Sequence, residues 1–136
     1  MTQEDKELLL KDLCARVPCG VKGVIMYDKS NTTFTVEGID NNVLHLSDAE
    51  ECYVEDFKPY LRSMSSMTEE ECKYCAEHFG IQSVMLIGAQ HGMIMPMEAS
   101  PMFIDWLNEH HFDYRGLIEK GLALEAPEGM YNVKEK

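Results

Sequence analysis

The tightest local constraint in this chain is Thr68, followed at the third position by Glu71 and closed by Gly80. In a Thr-x-x-Glu box the hydroxyl accepts an orphan helix amide while the carboxylate reaches back to the cap residue's own amide, so a helix starts at Thr68. Glu69, Glu70 and Glu71 put negative charge at the positive end of the helix dipole, and Gly80 stands where a left-handed stop residue belongs. Between those ends Cys72, Cys75, Ala76 and Phe79 recur at i, i+3, i+4 and i+7, an apolar face that must bury. The partner expected for that face is the segment just before it, where Phe57, Tyr60 and Leu61 around Pro59 read as a short edge strand or turn.

The rest of the chain sorts around this pivot. Thr2 caps a first helix whose stripe is Leu10, Leu13, Cys14 and Val17, ended by Pro18, which makes Cys14 a core residue. From Gly20 the period becomes two: Val21, Gly23, Ile25 and Tyr27 alternate with Lys22, Val24, Met26 and Asp28. Strands at 32–38 and 43–46, joined by turn residues, make an antiparallel meander that 52–54 extends. Beyond Gly80, the apolar runs at 84–87 and 93–95 read as a hairpin. Ser100-Pro101 opens a helix with the stripe Phe103, Trp106, Leu107 and His110. Asp113 caps a last helix facing Leu117, Ile118, Gly121 and Leu122 inward, Gly121 marking a close crossing. The expected fold is α+β: a small antiparallel sheet of SH3-like or half-barrel form, with one N-terminal and three C-terminal helices. It forms a single domain over 1–136, with a strand half at 20–62, a helical half at 63–125 carrying the hairpin at 84–95, and a loose tail at 126–136.

Charge narrows the partners. Twelve basic residues against twenty-four acidic ones leave a net charge of −12, which repels a phosphate backbone and favours a basic protein over nucleic acid. The acidic N-terminus is unlike a signal peptide, and the apolar residues of 84–97 are interrupted well short of the roughly 20 that a bilayer needs, so a cytoplasmic chain with no membrane partner is expected. Five cysteines in such a chain read as reduced thiols.

The strings FIDWLNEHHFDYRGLIEKGLALEAPEGMYN, LLLKDLCARVPCGVK and KPYLRSMSSMTEEE together resemble a family of short uncharacterised proteins encoded by gut anaerobic bacteria and their prophages or mobile elements. The resemblance covers almost the whole chain and implies an accessory role in such an element, with no mechanism or catalytic residues attached. Cys19 stands where such sequences have the tyrosine of a Pro-Tyr-Gly turn.

Four constellations carry chemistry. Asp48, Glu50, Glu51, Glu55 and Asp56, with Glu69 to Glu71, flank the pivot and form an acidic ridge able to dock a basic protein, although a charge run is commonly just a solvated face. Cys72, Cys75 and His78 lie on adjacent helical turns and suit zinc, with Cys52, His45 or Cys19 as the fourth ligand; the competing reading makes both cysteines packing material. His91, Met93, Met95 and Met97 alternate as a soft set suited to Cu(I), or as gap-filling core. His110, His111 and Asp113, beside Tyr114, offer acid/base groups that would have to converge to work; the competing reading makes one of the histidines a hydrogen-bonded core residue.

Overall fold

The computed structural model describes residues 1–79 and 101–131. The expected hairpin at 84–95, the His91 and methionine row, and the helix-flanking Gly80 and Ser100 lie outside the described residues.

Helix α1, Gln3–Arg16, begins as its sequence requires, with Thr2 Oγ1 accepting the Asp5 N–H at 3.0 Å. Its buried face is Leu9, Asp12, Leu13 and Arg16, one residue round from the expected stripe, and Cys14 is exposed rather than core. The reason is a salt bridge. Arg16 Nε donates to Asp12 Oδ2 at 2.7 Å and Nη2 to Oδ1 at 3.2 Å, with both side chains fully buried. Arg115 Nε adds a second guanidinium to the same carboxylate at 3.0 Å. A fork-on-carboxylate pair enters a core because its opposite charges and paired hydrogen bonds offset much of the desolvation, and Arg16 Nη2 also reaches the Phe112 carbonyl; hydrophobicity alone would turn the helix to keep both in water.

Six strands follow: β1 Lys22–Ile25, β2 Phe34–Asp40, β3 Val43–Leu46, β4 Glu51–Tyr53, β5 Phe57–Leu61 and β6 Leu124–Glu125. They form one sheet in the order β4-β3-β2-β1-β5-β6, antiparallel throughout except for the parallel β5–β6 pair. The meander is as expected, but β5 is an interior strand rather than an edge. Pro59 is tolerated there for a geometric reason. The Met26 N–H bonds Asp56 O, which puts the hydrogen-bonded rungs of β1–β5 at 26/56 and 24/58, so the proline nitrogen faces away from β1. On that other side β6 pairs only with Tyr60 and Leu61. Gly23 meets the same strand so closely that a Cβ would collide with the Lys58 carbonyl and the Phe57 ring. Helix α1 covers this sheet, its Leu9 and Leu13 packing with Val21, Val36, Leu44, Phe57 and Leu61, and with Leu117 and Leu122 from the C-terminal stretch.

A second cluster holds the helical half. Helix α2, Glu69–Phe79, buries Cys75 against Met64, Met67, Phe103, Trp106 and Leu107, where helix α3, Pro101–Glu109, supplies the last three. The face of α2 therefore packs on α3, not on Phe57 and Leu61, which belong to the sheet's own core. At the end of α3 the His111 N–H bonds Asn108 O at 3.1 Å and the Phe112 N–H bonds Leu107 O at 2.9 Å, the paired bonds of a Schellman stop. His111 takes the left-handed position there, with φ 64°, where glycine is usual.

The third expected C-terminal helix is instead a run of turns over residues 114–121. Asp113 still acts as its cap, accepting the Leu117 N–H at 2.8 Å and the Ile118 N–H at 2.9 Å. A second Schellman pair, Gly121 to Ile118 and Leu122 to Leu117, ends the turn at once. Gly121 is required for its φ of 76° and not for a close crossing, since a Cβ there would meet nothing within 4 Å. Among the described residues no helix is long and apolar enough to cross a membrane.

Replacing Asp12 by alanine strands two guanidiniums, one of them fully buried. The expected loss is about 3–5 kcal/mol in urea unfolding; a loss below about 1 kcal/mol, the value of an exposed pair, contradicts this account of α1.

Candidate binding groove

The capping box of α2 forms as its sequence dictates, and one of its members does double duty. Glu71 N–H bonds Thr68 Oγ1 at 3.1 Å and Thr68 N–H bonds Glu71 Oε1 at 2.9 Å. The same carboxylate receives Arg62 bidentately, Nη1 to Oε2 at 3.0 Å and Nη2 to Oε1 at 2.8 Å. Burial alone would push the Glu71 carboxyl up, but the Arg62 hydrogen bonds, the Thr68 amide and the Arg62 charge together hold it below its ordinary value. Arg62 lies over the Phe112 ring at 4.1 Å, and its main chain bonds His111 O at 2.7 Å and the Asp113 N–H at 2.8 Å. Sheet, α2 and the end of α3 therefore meet at one guanidinium.

Above this junction opens a groove of about 970 Å³. Its first wall is α2, from which Glu70, Tyr74 and Glu77 project at i, i+4 and i+7. Tyr74 stacks on His78, with ring centroids 3.8 Å apart, and on Trp106 at 5.9 Å, so aromatic rings back a wall whose exposed positions Glu70 and Glu77 are acidic. The opposite wall is Glu125 and the chain that follows it to Tyr131. That wall is fastened three ways: Ser63 Oγ donates to Glu125 Oε2 at 3.1 Å, the Ala126 N–H bonds Leu61 O at 2.7 Å, and Tyr131 enters the sheet.

The Tyr131 hydroxyl accepts the Lys22 N–H at 2.8 Å and donates to Tyr60 O at 2.7 Å. Lys22 and Tyr60 are where the next rung of the β1–β5 ladder falls, after 26/56 and 24/58; the phenol fills it. Burial pushes its pKa up to about 12. Its ring stacks on His111 at 3.6 Å. The tail expected to be loose from Ala126 is thus bonded to the sheet through residue 131.

The other residues singled out from sequence lie elsewhere. Of the acidic ridge only Glu70 and Glu71 line the groove. Asp48, Glu50 and Glu51 sit at β4, the far end of the strand order from β6, with Glu51 on His45 at 3.5 Å. Glu55 is on Lys6 at 3.6 Å, Asp56 precedes β5, and Glu69 is exposed at the start of α2. Cys72, Cys75 and His78 share a helix, but among the described residues no three His, Cys, Asp or Glu side chains stand together as a metal site. The Cys75 thiol is fully buried and burial, with Cys72 and Glu71 beside it, pushes its pKa up to about 12; His78 lies flat on Tyr74 with Nδ1 at 3.1 Å from the Tyr74 carbonyl. Of the fourth ligands considered, Cys52 is in the sheet core with its pKa pushed to about 11 by burial, His45 is on β3, and Cys19 follows α1.

His110, His111 and Asp113 do not converge as an acid/base set. The His110 ring stacks on Trp106 at 4.1 Å with Nδ1 at 2.9 Å from Trp106 O, and both Asp113 oxygens are spent on backbone amides. Arg62, Tyr74, Glu77, Trp106, Glu125, Glu128 and Tyr131 are the groove residues that sequence reasoning missed. Glu70, Tyr74 and Glu77 were legible as a second stripe of α2, beside the apolar one. Nothing local links them to residues 125–131. Compared with protein families, with curated proteins and with solved structures, the chain matches none.

Two outcomes follow for the groove wall. Tyr131→Phe leaves the Lys22 N–H and the Tyr60 carbonyl without their phenol and is expected to cost about 1–3 kcal/mol by denaturant titration; an unchanged midpoint contradicts the rung. Burial, then the Arg16 charge, depresses His111 from 6.5 to about 3. The unfolded imidazole therefore takes up a proton below pH 6.5 that the folded one refuses, and stability falls as pH drops from 6.5 towards 3. The stabilisation from the Glu71 carboxylate is whole above its ordinary 4.5 and is lost only as pH falls below it, outside this window. His111→Asn, which keeps a residue tolerant of positive φ, should flatten the melting-temperature slope between pH 6.5 and 4.5; an unaltered slope places the titration elsewhere.

Proposed function

We propose that this chain is a protein-contact module whose groove between α2, α3 and the β6 segment takes a basic segment of another protein. The carrying observation is the charge of the lining. With Arg62 and Glu71 neutralising each other, Glu70, Glu77, Glu125 and Glu128 stand against Lys73, beside the aromatic ledge of Tyr74 and Trp106. Carboxylates at the rim suit an ammonium or guanidinium, and the edge of the aromatic wall gives the aliphatic stem that carries it an apolar surface. The net charge of −12 adds a long-range field that draws basic partners and repels acidic ones, nucleic acid included.

The same reading assigns the sheet an SH3-like half-barrel form, supported by the meander β1 to β4 and the return of β5 to pair with β1. That return carries the chain directly into the Arg62 junction, and so sets the groove beside the sheet's last strand. The contact surface is then the groove itself, which takes Glu70 from the acidic ridge and leaves out Asp48, Glu50, Glu51, Glu55, Asp56 and Glu69.

Exposed ion pairs contribute only about 0.2–1 kcal/mol each, so the complex is salt-sensitive and charge alone holds it weakly. A fluorescein-labelled peptide of alternating lysine and threonine, followed by anisotropy, tests this. Binding should weaken at least about tenfold between about 50 and 200 mM salt, and again on Glu77→Lys with Glu128→Lys, while Glu50→Lys with Glu51→Lys leaves it unchanged. Equal losses from both pairs of reversals would assign the attraction to net charge and remove the groove from the account.

A further inference from the structure

We propose that the basic segment docks as an added β-strand on the outer edge of β6, with Glu125 supplying the main-chain N–H and C=O that receive it; this rests on the groove reading above. Strand β6 ends the sheet, and no described strand lies beyond it. Its register on β5 pairs Tyr60 with Leu124 and Leu61 with Glu125. The Ala126 N–H bonds Leu61 O. In a parallel ladder the main-chain groups of successive residues point to alternate sides. Leu124 and Ala126 therefore face β5, and the N–H and C=O of Glu125 face out. The groove runs along this segment, since Glu125, Ala126, Glu128 and Gly129 all line it.

Three further features define the occupant. Pro127 has no N–H to offer, so the edge accepts a short strand and not a long one. An added strand presents alternate side chains to one side, so basic residues spaced two apart reach the Tyr74 and Trp106 wall and the flanking carboxylates while the intervening ones face solvent. Glu125 and Glu128 repel an acidic edge, which excludes a second copy of this chain with its charge of −12 and leaves a basic, extended segment as the fit. Main-chain bonds then supply affinity, and the carboxylates select which strand is accepted.

The test separates main chain from charge. The lysine–threonine peptide is compared with two analogues, N-methylated at its odd or at its even residues, neither of which changes charge. The geometry expects one analogue to lose binding about tenfold or more and the other to keep it, because only one set of amides faces Glu125. On the protein, Glu125→Pro removes the outward N–H and Glu125→Gln removes only the charge; the proline variant should bind the peptide about tenfold more weakly than the glutamine one. If both analogues bind like the parent and the two variants match, strand addition is wrong while the groove reading stands. If the parent peptide does not bind at all, both fall. A dimer seen in sedimentation and abolished by Glu125→Pro assigns the edge to a second copy and overturns the proposal. The methylated peptides need no protein variant to fold.

Discussion

The contact between Arg62 and Glu71 is the constraint on which the rest of the molecule hangs. Glu71 is committed to Thr68 by the capping box, so the start of α2 is specified by residues three apart in the chain. Arg62 is committed to the sheet by its place just past β5 and to α3 by the Phe112 ring beneath it. Joining the two by paired hydrogen bonds converts a local helix signal into a tertiary one. Bidentate geometry matters here, because a single exposed ion pair contributes too little to fix an orientation. The groove takes its depth from this clamp, since α2 is held over the sheet's end with its acidic stripe turned towards β6.

A second set of polar contacts fastens the opposite side. Arg16 and Arg115 share Asp12 under α1, and Arg16 also donates from Nη2 to Phe112 O, so the stretch His110 to Asp113 is gripped from the sheet side, from α1 and by its own Schellman stop. Tyr131 completes the arrangement by standing on His111 and inserting its hydroxyl where β1 and β5 have begun to part. Side chains thus do work at this junction that backbone ladders do elsewhere in the sheet. The wall formed by residues 125–131 is held in place by those contacts, although only Glu125 among its residues is in a strand.

What could be read from the sequence was whatever depended on near neighbours. The capping box, the helix N-terminus at Thr2, the meander from β1 to β4 and the cap at Asp113 are all decided within a few residues, and all are present. The failures share a cause. Asp12 and Arg16 lie off the stripe that apolar spacing picks out, and the pair's inward turn depends on Arg115 and Phe112, about a hundred positions away in sequence. Cys14 falls on the apolar stripe, and it is exposed because the buried pair rotates the helix by one residue. His110 and His111 bring acid/base groups close to Asp113 in sequence, whereas in the fold one is an aromatic stacking partner and the other a left-handed helix stop. The groove was illegible because its walls lie some fifty residues apart and meet through Arg62, which no local pattern marks.

The functional account follows from placement. An edge strand, an aromatic wall and a rim of carboxylates converge beside the clamp, and the extended basic segment we propose as occupant is read from that convergence. Amide hydrogen exchange at Glu125, with and without the lysine–threonine peptide, tests this most directly. The account predicts that the outward-facing Glu125 amide exchanges quickly in the free protein and slows markedly with peptide bound. An unchanged Glu125 rate, with protection appearing instead along β4, contradicts it.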